Sequence, residues 1–204
     1  FRYHPDDPRM ALRINRLEIK PGEKVAILGR NGAGKSTLLQ AMIGGMDLID
    51  GESRIDNISL PHLDVADLRR NVGLMTQNAR LFYGTLRENI TLGTPRATDE
   101  EIFQVLTMCG AATFVQKLPK GLDHPIMENG VGLSGGQRQS ILLARMFLRD
   151  PNIVLLDEPT ASLDEHTERE FIQYLQAWLG NRTLIVATHR VPVLELVDRE
   201  VVLK

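Results

Sequence analysis

Gly29-Arg30-Asn31-Gly32-Ala33-Gly34-Lys35-Ser36-Thr37 follows the apolar run Val25-Ala26-Ile27-Leu28 and opens into Leu38-Leu39-Gln40-Ala41-Met42-Ile43. The order is strand, glycine loop, helix. A triphosphate carries dense negative charge. Backbone N–H groups can turn inward around it only where no side chain blocks the approach, or where φ can be positive. Gly29, Gly32 and Gly34 supply that freedom, with Asn31 and Ala33 between them. Lys35 can then reach the β- and γ-phosphates and the Ser36 hydroxyl can ligate Mg²⁺. The helix entered through Thr37 points its positive end at the phosphates. The spacing is G-x-x-x-x-G-K-S, the P-loop, and the strand before it and the helix after it are the context it requires.

The rest of the chain sets bounds around that loop. At 204 residues with 43% apolar content, it suits one domain able to bury a substantial core. The net charge of −2 comes from basic and acidic residues mixed throughout, so no nucleic-acid surface is expected. Cys109 is the only cysteine, which rules out a disulfide framework and a cysteine-based metal centre and fits a reducing compartment. Apolar runs fall far short of the roughly eighteen residues a membrane helix needs, and no signal peptide is visible. Beginning at Phe1 and stopping at Lys204 just after the strand-like Glu200-Val201-Val202-Leu203, the chain reads as a domain of a longer protein.

The chain order predicts alternating strands and helices. Ala11 to Lys20 alternates Leu12, Ile14, Leu17 and Ile19 with polar residues, as a half-buried strand would. Gly51 to Leu60 reads as another strand, Asp67 to Asn71 as a short helix, and Val72 to Thr76 as a buried strand ending at Gln77. From about Asn78 the character turns helical. Thr98-x-x-Glu101 and Ser134-x-x-Gln137 are capping boxes, the second heading a helix that runs to Arg149 before Pro151. Ile153 to Leu156 suits a parallel strand buried on both faces. Asp164 to Leu179 is helical again, and Thr183 to Thr188 is a buried strand ending at His189. Such alternation predicts an α/β core with a mostly parallel sheet.

In open parallel sheets, ligand-contacting residues gather at the carboxyl ends of strands. The P-loop, Gln77, Asp157-Glu158 and His189 each follow a predicted strand, so all four should meet at one edge. Asp157 closes an apolar strand, the Walker B arrangement, and can hold Mg²⁺. Glu158 faces another way, and a carboxylate there can activate an attacking water. Gln77 can ligate Mg²⁺ or orient water, His189 can hydrogen-bond a γ-phosphate oxygen, and Tyr3 offers a ring for adenine to stack on. Ser134, Gly135 and Gly136 at a helix N-terminus form a second anion site without a lysine. The economical reading is a composite pocket, in which the P-loop of one subunit and the Ser134 helix end of another close on one nucleotide.

With these residues in place, the chain resembles the nucleotide-binding domain of an ATP-binding cassette (ABC) transporter. Leu133-Ser134-Gly135-Gly136-Gln137 matches that family's signature in full. The resemblance places Gln77 on the Q-loop, Ala161-Ser162-Leu163-Asp164 on the D-loop, His189 on the switch histidine and Tyr3 on the adenine-stacking aromatic. The fold it implies is the ABC ATPase fold, an α/β P-loop NTPase. It has a RecA-like core with an antiparallel β subdomain (1–78 and 152–204) and an inserted helical subdomain (79–151), within a single 1–204 domain. The implied cofactors are ATP and Mg²⁺, sandwiched in a head-to-tail dimer whose partner is identical or a homologue.

Leu81 to Ile90, Phe114-Val115, Pro119 to Asp123 and Gly135 to Gln139 most resemble type I secretion ATPases, which export protein toxins, adhesins or bacteriocins. Such proteins carry six membrane helices ahead of this domain. They sit at the cytoplasmic face of the bacterial inner membrane and engage a periplasmic adaptor and an outer-membrane channel. In His124-Pro125-Ile126-Met127-Glu128-Asn129-Gly130, Glu128 and Gly130 follow the exporter pattern while Pro125 and Met127 depart from it, so coupling to the membrane part is expected to differ. Three alternatives stand beside an export motor. They are a soluble ABC-type ATPase acting on nucleic acid or ribosomes, a weakly hydrolysing regulatory cassette of a heterodimeric transporter, and a P-loop kinase, which leaves the signature helix unexplained.

Overall fold

A computed structural model describes residues 12–203. In chain order its strands and α-helices are β1 (Lys24–Leu28), α1 (Lys35–Met42), β2 (Arg54–Ile55), β3 (Ile58–Ser59), α2 (Val65–Asn71), β4 (Val72–Met75), β5 (Gly84–Thr85), α3 (Leu86–Ile90), α4 (Asp99–Met108), α5 (Ala112–Gln116), β6 (Pro125–Ile126), α6 (Gly135–Arg149), β7 (Ile153–Asp157), α7 (Glu165–Leu179), β8 (Thr183–Ala187) and β9 (Arg199–Val202). They form two compact units.

The first unit comprises the chain up to Thr76, Asn152–Pro159 and the residues from Asn181 on. Its centre is a five-stranded sheet in the order β4-β7-β8-β1-β9, every pairing parallel. The interior strands β7, β8 and β1 are the continuous apolar runs expected of a parallel sheet covered on both faces. Val25, Ile27, Leu38, Leu39, Val72, Leu155, Ile185 and Ala187 form the buried cluster between sheet and helix. Because the strands are parallel, the ends of β1, β7, β8 and β4 lie at one edge, and the chain leaves that edge at Gly29, Glu158, Thr188 and Thr76.

Two strand expectations fail here. Residues 12–20 form no strand and pair with none among the described residues; Leu12, Leu17 and Ile19 are half-buried against the core while Ile14 is exposed. The alternation records which side chains meet the core, but a strand also needs a partner ladder. Gly51 to Leu60 is a hairpin, β2 turning into antiparallel β3. Asp56 and Asn57 both take positive φ, 49° and 66°, the two-residue turn whose twist matches paired strands. The short helix begins slightly earlier than expected, at Val65, because the Asp64 carboxylate accepts from the Ala66 and Asp67 amides.

The second unit comprises Gln77–Pro151 and Thr160–Gly180. It thus includes α7, which the boundaries drawn from sequence kept with the core. The physical reason is packing of α7 on α6: Phe147 and Trp178 stack with ring centroids 4.5 Å apart, and Thr167 Cγ2 sits 2.8 Å from where a Cβ on Gly136 would lie. Both capping boxes are present, Thr98 with Glu101 and Ser134 with Gln137, and a third, Thr85 with Glu88, starts α3. Asn89 is fully buried; its amide donates to the Phe82 and Thr85 carbonyls, and its Oδ1 accepts from Phe82 N–H and Arg145. Arg87 ties α3 to Asp99 and Asp123. Antiparallel pairing among the described residues is confined to the short pairs β2–β3 and β5–β6.

Candidate functional site

The first unit brings the P-loop, Asp157, Glu158 and His189 together. Gly32 and Gly34 hold φ of 81° and 91°, which side-chain-bearing residues rarely adopt, and a Cβ on Gly32 would meet nothing within 4 Å. The loop is therefore open on the side where phosphates would sit. α1 begins at Lys35 with no side-chain cap and no acidic residue in its first turn, so its amide end is left for an anion.

Lys35 is 7% exposed. A buried ammonium needs partners, and its Nζ donates to the Gly29 carbonyl at 2.9 Å and the Arg30 carbonyl at 3.4 Å, with Glu158 Oε1 3.8 Å away. The loop thus holds its lysine at the mouth of the cradle by the carbonyls of its own first turn. Ser36 and Thr37 flank it, Ser36 exposed and Thr37 buried, and Asn31 is exposed beside half-buried Ala33.

Asp157 ends β7 and is buried. Burial pushes its carboxyl above the ordinary aspartate range, and the neighbouring Glu158 charge adds to this; the Ser36 hydroxyl and Lys35 oppose it. Its Oδ1 has no hydrogen-bond partner. An unpartnered buried carboxylate oxygen beside a serine hydroxyl and an anion cradle is a donor set that fits Mg²⁺, a hard cation that takes few protein oxygens and completes its shell with water and phosphate. Among the described residues no cluster of three or more His, Cys, Asp or Glu could hold a metal unaided.

Glu158 follows with φ of 47°, a left-handed backbone costly for a non-glycine residue, held by its N–H donating to the Ala187 carbonyl at 2.8 Å. His189, exposed just past the end of β8, hydrogen-bonds Glu158 Oε1 through Nδ1 at 2.9 Å. Glu158 Oε2 is buried and has no hydrogen-bond partner. One oxygen is held and the other, buried, makes no hydrogen bond.

The second unit carries the remaining predicted residues. Gln77 is exposed in the turn after β4. Ser134 is exposed at the head of α6, where its Oγ accepts from Gln137 N at 3.1 Å and its own N–H donates to Gln137 Oε1 at 2.9 Å. Gly135 has room for a Cβ, whereas Gly136 is packed against Thr167. The second glycine therefore serves helix packing whatever else it does. Tyr3 lies outside the described residues.

Sequence reasoning passed over Arg138, which donates from Nη1 to the Leu133 carbonyl at 2.6 Å and so braces the loop before Ser134. It also passed over two polar groups buried at helical spacing, Asn89 with Leu86 and Ile90, and Glu168 with Phe171, Ile172 and Leu175. A polar residue on an apolar stripe was the signal for both.

The profile of the ABC transporter family matches residues 12–161, well over half of the chain. The chain belongs to the ABC transporter family. It is the ATP-binding ATPase domain of that family, with the ABC ATPase fold. An ABC transporter ATP-binding protein of Bacillus subtilis is 41% identical over 97% of this chain and 34% of its own length. A Staphylococcus aureus ATP-binding/permease protein named for multidrug export is 38% identical over 100% of this chain and 35% of its own. A solved bacterial Atm1-family ABC exporter with ATP bound is 33% identical, with a TM-score of 0.92, over 100% of this chain and 35% of that one. The ABC domain therefore spans about a third of the length of these relatives. No helix among its described residues is long and apolar enough to cross a membrane.

Proposed function

We propose that this domain is the ATP-hydrolysing motor of an ABC exporter, with Glu158 as the general base. The observation that carries the reading is the state of its carboxylate. Oε1 is held by His189 and faces Lys35, while Oε2 is buried without a partner and can accept a proton from water attacking the γ-phosphate. Lys35 neutralises charge on the β- and γ-phosphates, and the amides of Gly32, Ala33, Gly34, Lys35, Ser36 and Thr37 orient them. His189 favours the intact triphosphate through its exposed ring edge. Ser36, Asp157 and Gln77 would hold Mg²⁺, which supplies charge neutralisation at the phosphate oxygens. Tyr3 would stack on adenine.

Ser134 lies exposed at an amide-rich helix start, as a contribution to a neighbouring copy's nucleotide requires. The partner is a second domain of this kind, identical or homologous, arranged head to tail. A patch in the second unit supports docking of transmembrane domains. Tyr83, Met127 and Val131 are 69%, 53% and 70% exposed, and their segments are joined by Asn129 N–H to the Leu81 carbonyl and Tyr83 N–H to Glu128. Met127 and Pro125, the departures from the exporter pattern, fall within these segments. In this reading the domain works at the cytoplasmic face.

For cargo, the relative named for multidrug export favours a small amphipathic molecule. Secretion of a protein toxin, adhesin or peptide, with adaptor and outer-membrane channel, is favoured only by the segments 81–90, 114–115, 119–123 and 135–139 of the sequence. Phosphate release by wild type and Glu158→Gln, measured beside nucleotide binding, tests the motor reading. Loss of turnover with binding retained is expected, and turnover near wild type would refute the assignment. Stimulation of that turnover by amphipathic drugs, against stimulation by an unfolded polypeptide, separates the two cargo classes.

A further inference from the structure

Thr188 is 0% exposed, and the ATPase reading gives it no role. It follows β8 and precedes His189. Its Oγ1 accepts from the Arg190 N–H at 3.0 Å, so this one bond spans His189 and closes a turn around it. Burying a hydroxyl costs free energy unless it is hydrogen-bonded. A valine of the same shape would fill the site without that cost, so what the hydroxyl adds is a partner for the Arg190 amide.

The turn is tied into the first unit at both ends. Thr188 N–H donates to the Ile27 carbonyl of β1 at 3.3 Å, and the Ala187 carbonyl just before it accepts from Glu158 N–H at 2.8 Å. Past Arg190 the chain enters a 3₁₀ turn, Val191–Leu196, in which Val193 and Leu196 are buried. Between these anchors the His189 side chain is 60% exposed and meets Glu158 Oε1 at 2.9 Å. The rotamers open to a side chain depend on the φ and ψ of its own residue, and for a ring so little packed the backbone sets the direction of approach.

We infer that Thr188 is a positioning residue: by holding the Arg190 amide it sets the backbone turn at His189 and, through it, the approach of the ring to Glu158. The inference rests on the reading in which His189 and Glu158 act together in turnover. A restraint can shift the population of the productive turn by no more than its own free energy, and one hydrogen bond of this kind corresponds to a factor of a few up to about ten. The loss should fall on kcat, because Lys35 and the amides from Gly32 to Thr37 that would bind the phosphates belong to a separate stretch of chain.

The test measures ATPase kinetics, nucleotide affinity and thermal midpoint of the full chain for Thr188→Val, Thr188→Ser, His189→Ala and the double variant Thr188→Val with His189→Ala. Thr188→Val keeps the shape and removes the acceptor, and kcat should fall about three- to tenfold with KM and affinity nearly unchanged. Thr188→Ser restores the hydroxyl and should recover most of kcat. The double variant should turn over no more slowly than His189→Ala alone, since Thr188 acts through the ring; a merely structural role would multiply the two losses. If Thr188→Val does not fold, Thr188→Ala takes its place in the same comparison. Impaired His189→Ala with full kcat in Thr188→Val overturns the inference alone. So does a double variant slowed by the product of the two single effects, or kcat and thermal midpoint falling equally in the valine and serine variants. Near-wild-type kcat in His189→Ala overturns the role of the histidine and the inference with it.

Discussion

The P-loop edge of the first unit and the Ser134 helix end of the second both offer amides to an anion, but they are built differently. At the first, charges are buried and compensate one another: Lys35 among carbonyls and Glu158, Asp157 against Ser36, His189 on Glu158. At the second, an exposed serine sits in its own capping box. A buried, mutually dependent constellation can do chemistry, because low dielectric strengthens every interaction within it. An exposed cap can only complete a surface that something else covers. The contrast is what the proposed division of labour between two copies would require.

The largest expected effect is at the first site. Glu158→Gln should lower turnover by about 10²–10⁴-fold while ATP still binds, since it removes the base and little of the cradle. Phosphate release and equilibrium nucleotide binding are the two readouts, and parallel losses in both would erase the contrast. Next is Ser134→Asp. Aspartate caps a helix as well as serine does, so the thermal midpoint should hold, while its charge against a triphosphate should abolish turnover. Ser134→Ala should do the reverse, costing about 1 kcal/mol of stability through the lost cap with a milder effect on rate.

Gly136→Ala should destabilise the second unit by about 1–3 kcal/mol, because Thr167 stands where the new methyl must go. Gly135→Ala should be tolerated in stability. Equal midpoints for the two would contradict the packing role.

The smallest effect is a pH dependence. Asp157 has its carboxyl raised by burial, so its ionised form costs the folded state stability. That cost is absent below the ordinary aspartate value near 3.8, grows as pH rises through the folded-state value, and is full above it. In metal-free buffer Asp157→Asn should therefore be more stable than wild type at pH 7, with the gap closing toward pH 4, and should bind Mg²⁺-nucleotide more weakly. A gap that widens on acidification would reverse the sign and the argument.

What could be read from the sequence was what local chemistry determines. The P-loop, the boxes at Thr98 and Ser134, and the apolar runs of β7 and β8 are written in consecutive residues, and each stands where expected. What depends on distant partners was not legible. Residues 12–20 alternate without a partner strand among the described residues, and β5 pairs with β6 across the long run of helix and loop from 86 to 124. At Gly136 the packing of Thr167 on α7 had no mark in the neighbouring residues. The left-handed Glu158 has no sequence mark, since a glutamate after an aspartate announces neither its φ nor what restrains it.

The central claim is that one working site takes Glu158 from one copy and Ser134 from another. Mixing Glu158→Gln with Ser134→Asp tests it most directly, because a mixed dimer would contain one doubly damaged site and one intact site. The account predicts that phosphate release, near background for each variant alone, returns on mixing to a substantial fraction of wild type and rises with total concentration. Turnover that remains the plain sum of the two separate variants would contradict it.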